Sequence, residues 1–157
     1  MVVRVKVKIR FKEREIVTSA VANSGYETEE PEVVLPVEVA KRLGMYPELP
    51  SGSRVEEYVG VGRVVVRTFV VRRSLMVEVI TEDKTVGPIV ATAVITPGED
   101  EVILSDRALD ELKISIIRPG EGLWGSRLVD FHRQRLIFRL PIVSPSSRLM
   151  PLIGLSG

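Results

Sequence analysis

The chain has 157 residues and a formal net charge of +1, so its length suits one domain with its own hydrophobic core. A nearly neutral chain has no overall field that would select a polyanionic partner. It contains no cysteine, which excludes disulfides, thiolate metal sites and cysteine nucleophiles.

The amino-terminal segment alternates apolar and basic residues from Val3 to Lys12, which predicts a strand with one buried and one wet face. Because it has no continuous apolar run, we expect neither a signal peptide nor a membrane span, and a cytoplasmic location. A polar turn over 12–15 leads to a second predicted strand, 16–22.

Residues 32–35 form a short apolar run that predicts a third strand. A two-turn helix is predicted next, with Pro36 at its start and Gly44 just past its end, which is the asymmetry that helices prefer. A second short helix is predicted to end at Leu112 and to be capped by Ser105 or Asp106. Further strands are predicted over 54–71, 75–80, 90–96, 101–104, 114–117 and 136–140.

Many short strands with frequent turn signals and only two short helices favour a mainly β barrel or sandwich over a parallel α/β sheet. We expect a barrel domain over 1–125 and a C-terminal extension over 126–157 that is partly flexible or packs on a partner subunit.

Only two side chains are amides, Asn23 and Gln134, and sixteen arginines accompany six lysines. This bias favours a protein from a hot environment, although a GC-rich genome also enriches arginine.

Three stretches resemble the motifs of the retropepsin-like aspartic proteases, the half-size relatives of pepsin that work as homodimers. Val21-Ala22-Asn23-Ser24-Gly25 is similar to the hydrophobic-hydrophobic-Asp-Thr/Ser-Gly motif of that family. The segment 58–63, with Gly60, Val61 and Gly62, is similar to its flap, and Ile103-Leu104-Ser105 to the element before its last helix. The resemblance covers about 3–124 and is closest to an archaeal branch that carries Asn-Ser-Gly-Tyr-Glu.

The resemblance implies a closed β-barrel that forms a homodimer, with two copies of Asn23, Ser24 and Gly25 across a shared cleft. It places Tyr26, Gly60, Val61, Gly62 and Ser105 beside a bound peptide. Asn23 stands where the family has its catalytic aspartate, and Ser105 where it has glycine. No cofactor or metal is implied.

Replacing the aspartate with Asn23 removes the chemistry of the family, in which two carboxyls share one proton. A carboxamide has no usable proton equilibrium near neutral pH, and in a homodimer both copies change together. We therefore expect a catalytically degenerate module that binds peptides or has a structural role. An alternative is an active aspartic endopeptidase, formed if Asn23 deamidates to aspartate or if another acid substitutes for it.

Other functional interpretations are weaker. The acidic run Glu27, Glu29, Glu30 and Glu32 suits a divalent cation or a substitute acid, but a solvated loop is the simpler interpretation. His132 is the only histidine, and its spacing from Ser24 does not indicate a catalytic pair.

Basic residues cluster along the first strand and again in the tail near two phenylalanines, a pattern that also suits a barrel that binds nucleic acid. Because the whole chain is nearly neutral, we favour the interpretation that these basic residues lie on solvated faces, where they discourage edge-to-edge pairing of strands. Gly60 and Gly62 indicate either a mobile flap or bulges in a bent strand. The clustered residues are Arg4, Lys6, Lys8, Arg10, Lys12, Arg127, Phe131, Arg133, Arg135, Phe138 and Arg139.

Overall fold

A computed structural model describes residues 2–59 and 61–126, without the side chains of Tyr58 and Val61. The predicted extension over 126–157 lies outside this part of the chain except for Ser126, as do the predicted strand over 136–140 and His132. The strands are β1 Arg4–Phe11, β2 Arg14–Ala22, β3 Glu32–Leu35, β4 Arg54–Val59, β5 Val65–Ile80, β6 Thr85–Ile95, β7 Val102–Leu104, β8 Ile114–Arg118 and β9 Leu123–Ser126.

Six of these strands close into a β-barrel, which confirms the predicted mainly β architecture. Around the ring the order is β1, β2, β7, β3, β6 and β5, and the antiparallel pairing of β1 with β5 closes it. Strand β4 pairs only with β5 and forms a hairpin that extends the sheet outside the ring. Strands β8 and β9 form a separate two-stranded sheet.

The alternation in β1 places one face of the strand in the core and the other in solvent, as the sequence predicts. Val5, Val7 and Ile9 are buried in the barrel core, while the basic residues between them face outward. Ile16 and Ala20 bury the matching face of β2. This burial of aliphatic side chains is the main stabilising contribution to the barrel.

Two short helices, α1 Val37–Arg42 and α2 Asp106–Glu111, close over the core. Helix α1 follows Pro36, and Gly44 beyond its end has a φ of 76°, a conformation that glycine adopts without steric cost. Ser105 is the N-cap of α2, because its side chain accepts a hydrogen bond from the N–H of Ala108.

Strand β5 departs from the prediction of two strands, 54–71 and 75–80. It runs without a break from Val65 to Ile80, with a register shift against β6 between Val71 and Leu75. Arg73 in this bulge has a φ of 48°, and its N–H donates to Thr92 Oγ1 at 3.0 Å. The bulge keeps Val71 and Leu75 both in the core, so one strand serves both halves of the barrel.

Candidate functional site

The predicted first and last motifs meet at one point of the barrel. Strand β7 lies between β2 and β3, parallel to β2 and antiparallel to β3. Residues 23–31 connect β2 to β3, so β7 is inserted between the two strands that this loop joins. At the junction, the N–H of Asn23 donates to the carbonyl of Leu104 at 3.2 Å.

Asn23 is half-buried at the start of this loop and organises its first turn. Its Oδ1 accepts the N–H of Gly25 at 3.0 Å, and its carbonyl accepts the N–H of Tyr26 at 3.1 Å. Because the backbone N–H can only donate, the oxygen of the carboxamide must be the atom that faces it. A carboxylate at this position would accept the same bond, so the turn does not depend on the amide.

Ser105 is fully buried, and its polar atoms are engaged with β3 and α2. Its Oγ accepts the N–H of Glu32 at 2.9 Å and the N–H of Ala108 at 3.3 Å. Its own N–H donates to the carbonyl of Glu32 at 3.0 Å. In this structure Ser105 therefore positions the start of β3 and of α2, and its side chain faces away from solvent.

The start of α2 also anchors the loop. Asp106 donates its N–H to the carbonyl of Tyr26 at 2.8 Å, and its Oδ1 accepts the N–H of Thr28 at 2.9 Å. These bonds join positions that are about eighty residues apart in sequence, and they fix the loop against the end of β7.

Tyr26 packs in a second, smaller apolar cluster on the outer face of the barrel wall. Its side chain is 4% exposed, and its hydroxyl donates to Glu32 Oε1 at 2.5 Å. The other members of this cluster are Val34, Val70, Val94 and Ile103, with Val21 at its margin. Tyr26 therefore joins the Asn23 loop to the carboxylate at the start of β3.

A cleft of about 540 Å³ lies over this cluster, which is within the usual size range of ligand pockets. Val70 and Val94 form its floor and are almost fully buried. In the described part of the chain, its charged walls come from the loop, the start of β3, β4 and the β5 bulge. They consist of the carboxylates of Glu29, Glu30, Glu32 and Glu56 and the guanidinium groups of Arg54 and Arg72.

Both arginines of the cleft are paired with acids. Arg72 lies 3.3 Å from Glu30 Oε1, and Arg54 lies 3.5 Å from Glu56 Oε2. The hydroxyl of Thr92 also donates to Glu30 at 3.2 Å. The hydrogen bond from Arg72, opposed by partial burial and aided by Thr92, lowers the pKa of Glu30.

Glu32 has a different environment. Burial raises the pKa of its carboxyl, the hydrogen bond from Tyr26 opposes that shift, and the negative charges of Glu56, Glu30 and Asp106 add to it. No basic side chain of residues 2–59 and 61–126 forms an ion pair with Glu32. It is thus a half-buried carboxylate without a counter-ion in the described part of the chain.

The predicted flap is the hairpin between β4 and β5. A short 3₁₀ turn, Val61–Arg63, forms its tip, where Gly62 has a φ of 74°. Beside this tip Val59 and Val64 are 71% and 60% exposed. Gly62 does not line the cleft, nor does any residue of Asn23-Ser24-Gly25, and Gly60 and the side chain of Val61 lie outside the described part of the chain.

The structure thus places Ser105 behind the Asn23 loop, which contains Tyr26, and Gly62 of the hairpin tip does not line the cleft. Sequence reasoning did not single out Arg54, Glu56, Arg72 and Thr92, which come from three strands. The one available signal was the i, i+2 spacing of Arg54 and Glu56, which places both on one face of a strand.

The carboxylates of the acidic run are not grouped as metal ligands in the described part of the chain. Among residues 2–59 and 61–126, no three aspartate, glutamate or histidine side chains are placed to hold a metal ion together.

The basic residues of β1 face solvent, and Arg4 pairs with Glu101 at 2.7 Å. No helix in the described part of the chain has the length and apolar character needed to cross a membrane.

Comparisons of the sequence with protein-family models and with curated proteins gave no match.

Proposed function

We propose that this protein is a catalytically degenerate, retropepsin-like module that binds peptides as a homodimer. The observation that carries the proposal is the position of Asn23. It is half-exposed at the start of the loop after β2, beside the end of β7, in a closed β-barrel. This is where the resemblance puts the residue that each subunit contributes to the shared site.

The chemistry of Asn23 supports binding without hydrolysis. A pepsin-like mechanism needs one ionised carboxyl to take a proton from water and one protonated carboxyl to polarise the peptide carbonyl. A carboxamide supplies neither. Since one positioned acid or base contributes about 10²–10⁴-fold in rate, loss of both in a homodimer leaves little hydrolysis.

The cleft over Val70 and Val94 supports a peptide as the ligand. It has a buried apolar floor, charged walls and a size suited to a side chain, and β4 forms the end of its sheet. Within residues 2–59 and 61–126, the outer edge of β4 has no strand partner. An extended peptide can pair with such an edge through its main chain, while side-chain pockets supply specificity.

Restoring the aspartate tests the proposal. Native protein and Asn23→Asp are incubated with an unfolded protein substrate from acid to neutral pH, with Asn23→Ala as the inactive control. We expect cleavage only by Asn23→Asp, and inhibition of that cleavage by a transition-state mimic of aspartic proteases.

The runner-up function, an active aspartic endopeptidase, predicts a different result. Cleavage by native protein in which mass spectrometry shows Asn23 intact would refute the degenerate assignment. Activity that grows on heating, together with a mass increase of about one dalton at Asn23, would instead show that deamidation creates the aspartate. If Asn23→Asp is folded and inactive at every pH, the retropepsin-like assignment itself is contradicted.

A further inference from the structure

The cleft over Val70 and Val94 carries an imbalance of charge. Four carboxylates and two guanidinium groups line it, and each guanidinium already lies beside a glutamate. Among residues 2–59 and 61–126, its walls therefore hold two more negative than positive groups. A cation that enters the cleft needs no displacement of an existing pair.

Glu32 is where this imbalance is concentrated. Its carboxylate is half-buried, the hydroxyl of Tyr26 is the one hydrogen-bond partner of that carboxylate in the described part of the chain, and the negative charges of Glu30 and Glu56 act on it. A carboxylate removed from water without a counter-ion is costly, and a cation beside it offsets that cost. The buried valine floor adds apolar surface against which the methylene stem of a long side chain can pack.

We propose that this cleft binds the lysine or arginine side chain of an extended peptide, with the Glu32 carboxylate as its counter-ion. The inference rests on the proposed peptide-binding function and names the class of peptide. The methylenes of the side chain lie over Val70 and Val94, and its charged end reaches Glu32, whose second oxygen remains available beside the one bound by Tyr26. An acidic side chain in the same place is repelled by Glu30, Glu32 and Glu56.

The test uses fluorescein-labelled hexapeptides with one common background of alanine, valine and threonine. They differ at one central residue, which is lysine, arginine, norleucine or glutamate. Binding is measured by fluorescence anisotropy with native protein, Glu32→Gln and Glu13→Gln. The last variant removes the same charge from the distant turn between β1 and β2 and serves as the matched control.

Native protein and Glu13→Gln should bind the lysine and arginine peptides about tenfold or more tightly than the norleucine peptide, and the glutamate peptide least, since a hydrogen bond to a charged group is worth roughly a factor of ten. Glu32→Gln, shown to be folded by its melting curve, should lose this preference while still binding norleucine. Equal binding of all four peptides by native protein would overturn the inference and leave peptide binding intact. Binding of none of them would contradict the proposed function as well.

Discussion

Ser105 and Glu32 are joined by two hydrogen bonds of opposite direction. Ser105 donates its N–H to the carbonyl of Glu32 at 3.0 Å, and its hydroxyl accepts the N–H of Glu32 at 2.9 Å. The same hydroxyl caps α2 through the N–H of Ala108. One buried side chain thus aligns β3, β7 and α2 behind the Asn23 loop, which gives the serine a structural role.

Replacing Ser105 with alanine should destabilise the protein substantially. The change leaves the N–H of Glu32 without its acceptor and removes the cap of α2, so we expect a loss of about 2–3 kcal/mol in the free energy of unfolding. Denaturant unfolding followed by circular dichroism measures this. Ser19→Ala, at an exposed position of β2, is the control and should change the free energy of unfolding by less than about 0.5 kcal/mol. Equal stability of Ser105→Ala and native protein would contradict the assigned role.

Glu32→Gln should alter how stability depends on pH. The folded protein raises the pKa of Glu32, so the ionised form is disfavoured on folding and stability falls as pH rises from about 4.5 through the raised value. Glutamine carries no such penalty and can still accept from Tyr26. We therefore expect a higher melting temperature than native protein at pH 7 and no difference below about pH 4.

Melting curves of both proteins between pH 3 and 8 check this expectation, with Glu13→Gln as the exposed control. A Glu32→Gln variant that melts lower than native protein at pH 7 and equally at pH 3 would show that the ionised carboxylate is stabilising. That result would require a counter-ion that the described residues do not supply.

Tyr26→Phe should show what the hydroxyl contributes to stability apart from the ring. The ring remains in the cluster with Val34 and Val94, but Glu32 loses its donor, so we expect a loss of about 1 kcal/mol in unfolding free energy at neutral pH. Because that hydrogen bond lowers the pKa of Glu32, the variant should also raise it further. Carboxyl chemical shifts followed by NMR across pH measure the titration, and an unchanged midpoint would argue against the contact.

Asn23→Asp should leave the fold of the monomer intact and weaken the proposed homodimer at neutral pH. The carboxylate accepts the N–H of Gly25 as the carboxamide does, but two of them at the proposed shared cleft repel each other unless they share a proton. Sedimentation equilibrium at pH 7 and pH 4 compares the variant with native protein. We expect the variant to dimerise more weakly than native protein at pH 7 and to a similar extent at pH 4. Equal dimerisation of the two proteins at both pH values would argue against close contact between the two copies of residue 23.

The local features of the fold could be predicted from the sequence because local chemistry determines them. Alternation sets the buried face of β1, Pro36 and Gly44 bracket α1, and Ser105 has the side chain of an N-cap. Each signal lies within a few residues of the feature that it predicts.

The cleft and the barrel closure could not be predicted in the same way. Arg54, Arg72 and Thr92 converge only because β5 pairs with both β4 and β6, and the ring closes through β1 and β5, far apart in sequence. The bulge at Arg73 also conceals the continuity of β5, because its polar residues look like a break between two strands. The Asn23 loop was located by its motif, but its bonds to Asp106 depend on tertiary packing.

The most direct test of the central claim is whether two copies of residue 23 meet in the proposed homodimer. The chain has no cysteine, so Asn23→Cys introduces a single thiol, and a disulfide forms only when two Cα atoms lie within about 7 Å. Under mild oxidation we predict a covalent dimer of Asn23→Cys that reducing agent reverses, and none of Glu13→Cys. A native-like Asn23→Cys protein that stays monomeric on a denaturing gel after oxidation would contradict the account.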